Sequence, residues 1–283
     1  MHNSNKLRSL KKSSIISNLF SSRLNVQKWK SENNRPTKKI PIVLETKKTP
    51  IVLELFFLLL IALSIRTFIF EPFHIPSGSM KSTLLEGDYI FTTKYTYGYS
   101  KYSFPFAPNI FRGRIFHTLP QQGDVVVFRP VKHISVRYVK RVIGLPGDTI
   151  QIIDGNLHIN NQKIERKRIG DFIDYESGNS IPRYIETFPN GNKHEILVDY
   201  ANYNSVAYNT PVFYVPDDHL FVMGDNRNNS LDSRYTNVGF IPMENIIGRV
   251  SIVGLSFKLK KFSWSPFRLP VALRLNRIIH KVI

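Results

Sequence analysis

The chain contains no cysteine at any of its 283 positions. Disulfide frameworks, thiolate metal sites, iron–sulfur clusters and thiol nucleophiles are therefore excluded. The eight histidines are scattered without the close pairs of a metal site, so the sequence predicts no metal and no cofactor. A G-x-S-x-G nucleophile elbow is also missing. Any hydrolytic chemistry must therefore come from another arrangement of side chains.

Acidic residues are scarce, since 21 Asp and Glu stand against 39 Lys and Arg, and the net charge is +18. The excess lies in the flanks: residues 1–50 carry +10 and residues 256–283 carry +7, which leaves a nearly neutral middle. A nucleic-acid-binding protein would more often spread its basic residues over a folded domain. We therefore predict a lipid bilayer as a partner and no nucleic acid.

Long hydrophobic runs are limited to residues 51–70, where sixteen of twenty residues are apolar. Twenty helical residues rise about 30 Å, the hydrocarbon thickness of a bilayer. We predict a retained, single-pass transmembrane helix. A cleavable leader is the alternative, because Ser77-Gly78-Ser79 is a small-x-small pattern. The fifty residues before the run and Arg66 within it favour the anchor. The basic flank predicts a cytoplasmic N-terminus and places everything after Phe70 outside.

Beyond this segment, long helical periodicity gives way to strand patterns. Short apolar or β-branched runs end at Gly and Pro turns at 125–128, 134–143, 219–225 and 246–257. The predicted fold class is mainly β: an N-terminal transmembrane helix followed by an exported antiparallel β domain. Residues 149–215 are richer in Asn, Gly and Tyr, and carry hairpin signals at 154–156 and 190–192. They predict a smaller inserted β subdomain.

The predicted organisation has five parts: a basic cytoplasmic segment (1–50), a transmembrane helix (51–70), a catalytic β domain (71–148 plus 216–255), an inserted subdomain (149–215) and a basic amphipathic tail (256–283). The tail either lies on an anionic membrane surface or is disordered. The aromatic loop 95–119 either packs on the core or touches the membrane.

Lys140 stands out when the strand at 134–143 is divided into its two faces. Alternate residues of a strand share a face, so Lys140 falls in the apolar file with Tyr138 and Val142, while Arg137 and Arg141 point the other way. Burial disfavours the charged form of lysine and can lower its pKa by about 3–5 units. Such an amine could accept a proton from a hydroxyl. A lysine that extends to solvent along an apolar surface is the alternative.

Serines around a glycine follow the hydrophobic run in PSGSM, residues 76–80. A serine hydroxyl is a weak nucleophile without a base, and it needs hydrogen-bond donors for the oxyanion that develops during attack. Gly78 permits a close backbone turn, while the Ser77 hydroxyl or the Ser79 amide could donate. A flexible polar tether is the alternative. The histidines give no cue for a triad, so a Ser–Lys dyad is the simplest arrangement.

Four segments together resemble the signature boxes of the type I signal peptidases, membrane-bound serine endopeptidases that remove signal peptides from exported preproteins. They are PSGSM (76–80), GDVVVF (123–128), KRVIGLPGD (140–148) and GDNRNNSLDSR (224–234). They occur in the family's order after the hydrophobic run, across residues 71–255. The resemblance implies that Ser79 is the nucleophile and Lys140 the general base. It also implies that Ser77 assists the oxyanion together with Ser79.

Further roles follow from the same resemblance. Ser230 corresponds to the serine that orients the lysine amine, and Asp232 and Arg234 to a pair that supports the site. The substrates are expected to be preproteins with small residues at the first and third positions before the cut. The groove that receives those residues is expected to be lined by Ile75, Pro76, Tyr138 and Val139.

A lysine at the base position favours a bacterial-type or organellar enzyme, and the size of the 149–215 insertion resembles the Gram-negative form. The expected location is therefore the cell inner membrane, with the catalytic domain on the periplasmic side. Two other classes remain open. One is a membrane-tethered binding or assembly protein without catalysis, and the other is a self-cleaving Ser–Lys protease of the repressor type.

Overall fold

The structure is a computed structural model that describes residues 50–109, 111–174, 178–199, 208–258 and 273–282. The predicted cytoplasmic segment lies outside the described residues apart from Pro50, and so do residues 259–272 and 283 of the predicted tail. The predictions for those parts therefore remain predictions.

The N-terminal helix, α1, spans Ile51–Phe68 and buries none of its side chains. Its 18 residues have a mean hydropathy of 2.3, so it is long and apolar enough to cross a membrane. The helix ends two residues before the predicted limit. Phe70 instead pairs with Thr93, and its backbone therefore belongs to the first strand of a sheet.

Fifteen strands follow α1 in the part of the chain that is described. Their bounds are β1 Phe70–His74, β2 Asp88–Thr93, β3 Val125–Phe128, β4 Tyr138–Gly144, β5 Thr149–Ile153, β6 Asn156–Ile159, β7 Gln162–Lys163, β8 Glu165–Ile173, β9 Ser180–Thr187, β10 Lys193–Leu197, β11 Phe213–Tyr214, β12 His219–Met223, β13 Ile241–Pro242, β14 Ile246–Ser256 and β15 His280–Lys281.

The largest sheet has the order β1-β2-β14-β3-β4-β12-β13, with β15 paired to β14. Its strand pairs are antiparallel. The central strand β3 is VVVF and is buried throughout, because apolar side chains cover both faces of the sheet there. The predicted fold class, mainly antiparallel β with an N-terminal helix, is confirmed.

Strands β5–β11, all within the predicted insertion, form two smaller sheets with the orders β10-β9-β8 and β11-β5-β6-β7. The first hairpin turns at Asp154-Gly155, where both residues have positive φ, at 47° and 71°. This is the backbone of a tight two-residue hairpin turn. The second predicted hairpin joins β9 to β10 and has Gly191 at φ 84°. The division into domains remains a prediction.

Strand β4 begins later than the sequence pattern indicates. Residues 131–133 form a short 3-10 turn, and Val136 donates its N–H to the His133 carbonyl rather than to a neighbouring strand. The strand therefore covers Tyr138–Gly144 instead of 134–143. Lys140 still lies within the strand, so it remains on the same face of β4 as Tyr138 and Val142.

The last described residues, 273–282, pack on the large sheet. Arg277 pairs with the buried Asp88 at 2.6 Å, and Val282 is 4% exposed in the core. In the aromatic loop, Tyr97 is buried and donates to Asp124, whereas Phe106 and Phe116 are fully or largely exposed. This loop therefore both packs on the core and presents apolar surface.

Candidate active site

Ser79 lies in a tight turn that begins four residues after the end of strand β1. Residues 78–80 form a single 3-10 turn, which is entered from extended backbone at Ser77. Met80 and Leu84 are 1% and 0% exposed, so the turn is anchored in the core by the residues after the serine. This anchoring leaves the Ser79 side chain partly accessible at the surface of a groove.

The Lys140 amine meets the Ser79 hydroxyl across 61 residues of sequence. Its Nζ lies 2.7 Å from Ser79 Oγ and 3.1 Å from the Val139 carbonyl oxygen. A protonated amine donates this hydrogen bond to Oγ. Once neutral, the amine could accept the hydroxyl proton over the same separation.

Burial lowers the pKa of Lys140 to about 8. The side chain is only 4% exposed, and desolvation penalises its charged form. Asp232 and Asp225 oppose this shift by stabilising the ammonium, while Arg234 adds to it. The net effect is an amine with a substantial neutral population near neutral pH.

Ser77 is exposed beside the dyad, and its Oγ lies 3.5 Å from Ser79 Oγ. Ser230 is buried beside Gly224 at 8% exposure. Its hydroxyl has no well-formed hydrogen bond among the described residues, although it helps to hold down the pKa of Asp232. The amine of Lys140 is bonded to Ser79 and Val139, so the described contacts contain no Ser230–Lys140 hydrogen bond.

Asp232 and Arg234 form a buried, two-pronged ion pair. Arg234 Nε and Nη2 each donate to one carboxylate oxygen at 2.8 Å, and the Gly224 amide donates to the same carboxylate at 3.0 Å. Although burial alone would raise it, the pKa of Asp232 is lowered by Arg234 and by these hydrogen bonds. The carboxylate therefore stays ionised and holds Gly224 in place.

A groove with a cavity of about 390 Å³ runs past the dyad. The four predicted groove residues line it together with Ser77, Ser79 and Lys140: Ile75, Pro76, Tyr138 and Val139. The structure therefore brings these predicted residues to one site. Arg137, assigned from sequence to the face opposite Lys140, also lies on this wall, as does Asn229.

Two residues to which the sequence assigned no role, Gly224 and Asn226, contact the turn that carries Ser79. Asn226 donates its backbone N–H to the Ser79 carbonyl and its side-chain amide to the Gly78 carbonyl, both at 3.0 Å. A Cβ on Gly224 would lie 2.2 Å from Ser230 Oγ and 2.5 Å from the Ser79 carbonyl oxygen, so only glycine fits. The Gly-Asp-Asn sequence was recognisable as a motif, but its hydrogen bond to a residue 148 positions away was not.

Arg141, the neighbour of Lys140, is buried rather than solvated. Its guanidinium forks onto Asp225 with two 2.8 Å hydrogen bonds, and a 2.6 Å bond joins it to the Gly123 carbonyl. Because β4 is covered on both faces, the face opposite Lys140 also carries a charge that needs a partner. Asp225 lies next to Gly224, so this pair ties β4 to the 224–234 segment.

Comparison with known proteins identifies the class to which this fold and site belong. The family model described as "Signal peptidase, peptidase S26" matches residues 48–255. The chain belongs to that family, and it is accordingly a signal-peptide-cleaving peptidase. The predicted resemblance is confirmed.

Individual relatives agree with the family. The chain is 50% identical over 210 residues to signal peptidase I of Rickettsia conorii, covering 72% of this chain and 78% of that protein. Signal peptidase I of Rickettsia akari is 47% identical over 234 residues, covering 80% and 86%. A signal peptidase I crystal structure from Enterococcus faecalis is 28% identical, with a TM-score of 0.28, over 47% of this chain and 97% of that one.

Proposed function

We propose that this peptidase is a membrane-anchored serine endopeptidase in which Ser79 is the nucleophile and Lys140 the general base. The observation that carries the proposal is the 2.7 Å separation of Lys140 Nζ and Ser79 Oγ. The lysine is buried, so its amine is far easier to deprotonate than an exposed one. Nucleophile and base thus lie within hydrogen-bond reach, as covalent catalysis requires.

Acylation begins when neutral Lys140 takes the Ser79 hydroxyl proton and Oγ attacks the scissile carbonyl carbon. The resulting oxyanion is stabilised by the Ser79 amide and the Ser77 hydroxyl, whose oxygen lies 3.5 Å from Ser79 Oγ. Collapse breaks the C–N bond, and the Lys140 ammonium returns its proton to the leaving amine. The signal peptide is left as an ester on Ser79.

Deacylation repeats these steps with water as the nucleophile. Lys140 accepts a proton from water, the hydroxide attacks the ester carbonyl, and Ser79 Oγ leaves with the proton from the lysine. Ser230 and the Asp232–Arg234 pair act through the position of the amine and of the 224–234 segment. No metal or cofactor is required for either half of this sequence.

The groove supports preproteins with small side chains at the first and third positions before the cut as substrates. Its wall near Ser79 is largely apolar and comes from residues of β4 and the segment just after β1. In an extended peptide, alternate side chains point to the same side. The first and third positions would therefore enter the groove together, and its limited volume favours small ones.

The apolar helix supports a single-pass anchor, with residues 1–50 in the cytoplasm and the domains after residue 70 on the periplasmic side of the inner membrane. Helix α1 ends two residues before β1 begins, so the Ser79 turn is tethered within eleven residues of the membrane span. This short tether suits a substrate whose own apolar helix lies in the bilayer. The domain limits given under Sequence analysis are proposed with it.

The test of function is cleavage of a preprotein by the purified full-length enzyme and by Ser79→Ala, both in detergent micelles. Wild type should release the mature protein and Ser79→Ala should release none, while both keep the same melting temperature. Equal activity of the two would remove Ser79 as nucleophile. Binding of the preprotein without cleavage by either would favour a tethered binding protein. Cleavage of the wild-type enzyme itself, with the preprotein left intact, would favour a self-cleaving protease of the repressor type.

Orientation is tested by adding protease to spheroplasts. The first fifty residues should be spared and the residues beyond 71 digested. Protection of the C-terminal domain would contradict the proposed orientation, and a mature chain that begins at Met80 would contradict a retained anchor.

A further inference from the structure

The three-stranded sheet β8–β10 contacts the active-site segment 224–234 through a buried ion pair. Glu186 on β9 is 1% exposed, and Arg227 is 7% exposed. Arg227 Nη1 donates to Glu186 Oε1 at 2.9 Å, and Nη2 donates to Oε2. Such a two-pronged pair fixes the orientation of both side chains as well as their distance.

Arg227 lies between the Asp232–Arg234 pair and the turn that carries Ser79. Its carbonyl oxygen accepts a 2.7 Å hydrogen bond from Arg234 Nη2. The residue before it, Asn226, holds the backbone oxygens of Gly78 and Ser79 at 3.0 Å each. A displacement of Arg227 would therefore shift both the turn that carries Ser79 and the Asp232–Arg234 pair.

His194 on β10, the register partner of Glu186, also contacts the pair. His194 is fully buried, stacks on Phe188 at 4.7 Å, and has Nε2 3.5 Å from both Glu186 and Arg227. Burial, Arg141 and Arg227 all lower the pKa of His194 well below its usual range, so this ring is neutral. Glu186 is therefore paired with Arg227, and its charge also stabilises the nearby Arg234.

The same sheet and the residue that follows β8 also contact the chain just after the Ser79 turn. Lys81 Nζ lies 2.7 Å from Asp174 just after β8, and Ser82 Oγ donates to the Glu195 carbonyl of β10 at 3.0 Å. The Leu197 carbonyl of β10 accepts the Arg227 amide at 3.0 Å. This part of the chain thus contacts both the residues that directly follow the Ser79 turn and the segment that contains Ser230.

We propose that Glu186 is a positioning residue for the reaction: by holding Arg227, it keeps the 224–234 segment in the register at which Ser79 and Lys140 meet. The inference rests on the proposed Ser–Lys function. It assigns the inserted sheet a role in the rate of the chemical step. Glu186 is absent from the residues that line the groove, so substrate binding should not depend on it.

The experiment measures kcat and KM for preprotein cleavage by the full-length enzyme, well below the melting temperature of each variant. The main variant is Glu186→Leu with Arg227→Met, since replacing a buried ion pair by apolar side chains is often neutral for stability. We expect kcat to fall about a hundredfold with KM nearly unchanged, because a shift of about 1 Å at reacting atoms has this effect. The pH midpoint of the rate should stay where wild type has it.

Glu186→Gln keeps the side-chain volume and one acceptor oxygen, and should lower kcat by about tenfold. The matched control is Asp171→Asn, which removes the same charge from the exposed Arg168–Asp171 pair on β8, where the side chains are 57% and 43% exposed. This control should retain the wild-type kcat. If the double variant does not fold, Glu186→Gln carries the test.

A folded double variant, or a folded Glu186→Gln, with wild-type kcat would overturn the positioning role and leave Glu186 as a stabilising residue only. An increase in KM at constant kcat would overturn it as well. Ser79→Ala in the same assay distinguishes a failure of the proposed function from a failure of the proposed role of Glu186. Cleavage by Ser79→Ala contradicts the proposed function itself, whereas an inactive Ser79→Ala beside a fully active Glu186 variant contradicts only this inference.

Discussion

The pH dependence of cleavage tests the role of Lys140 most directly. An ordinary lysine has a pKa of 10.5, whereas burial lowers that of Lys140 to about 8. At pH 7 an amine with the ordinary value would be neutral in roughly one molecule in three thousand, and Lys140 in roughly one in ten. The neutral fraction available as base is therefore increased about 300-fold.

The direction of the pH dependence follows from the protonation state that the base needs. The base is active when deprotonated, so kcat/KM should rise with pH and level off above the pKa of Lys140 in the free enzyme. We expect a midpoint near pH 8, measured by initial rates of preprotein cleavage in detergent micelles over a range of buffers. A midpoint near 10.5 would mean that the lysine is not desolvated in the working enzyme.

Lys140→Arg completes the test. A guanidinium keeps the positive charge but does not give up its proton at these pH values, so cleavage should be abolished while the fold is retained. Lys163→Arg on the exposed strand β7 is the matched control and should retain the wild-type rate. Substantial activity in Lys140→Arg, with the wild-type pH profile, would refute the Ser–Lys dyad.

Three further predictions concern Lys140 and two residues that contact the Ser79 turn. Lys140→Met should raise the free energy of unfolding at pH 7 by up to about 3 kcal/mol, because the charged form of a buried lysine destabilises the fold below its folded pKa. This gain should shrink as the pH rises from about 8 toward 10.5, and chemical denaturation at several pH values measures it. Gly224→Ala should lower kcat by at least about a hundredfold, since its Cβ would lie 2.5 Å from the Ser79 carbonyl oxygen; an active, folded variant would contradict the packing. Asn226→Ala should lower kcat by about tenfold at constant KM through loss of its 3.0 Å bond to Gly78, and an unchanged kcat would show that the backbone bond alone is sufficient.

Local patterns in the sequence were sufficient for the fold class. Apolar runs such as 125–128 and 246–257 became β3 and β14, because short β-branched segments between turn residues have few other ways to bury their side chains. The Asp154-Gly155 hairpin followed from turn chemistry in the same way. The apolar helix was recognisable from its length and composition, although it ends at Phe68, two residues before the predicted limit. Family membership followed from four motifs in order.

Parts of the site could also be inferred before the structure. The alternation of the strand indicated Lys140, and the resemblance of PSGSM to the nucleophile box of the family indicated Ser79, so the two groups expected to react were named from sequence. Their separation of 2.7 Å was not. The boundary of β4 was missed because the turn at 131–133 is stabilised by its own backbone hydrogen bonds, which compete with the strand.

Tertiary structure alone decided which buried charges pair. Arg141 was expected only to point away from Lys140, but its partner Asp225 is 84 residues distant. Glu186 and Arg227 are 41 residues apart, and Lys81 and Asp174 are 93 apart. A buried ion needs a counter-ion at contact distance. Sequence spacing does not reveal which charged residue the folded chain places beside it. Residue chemistry therefore specified the groups proposed to react, while the long-range sheet packing determined their neighbours and the burial that lowers the pKa of the lysine.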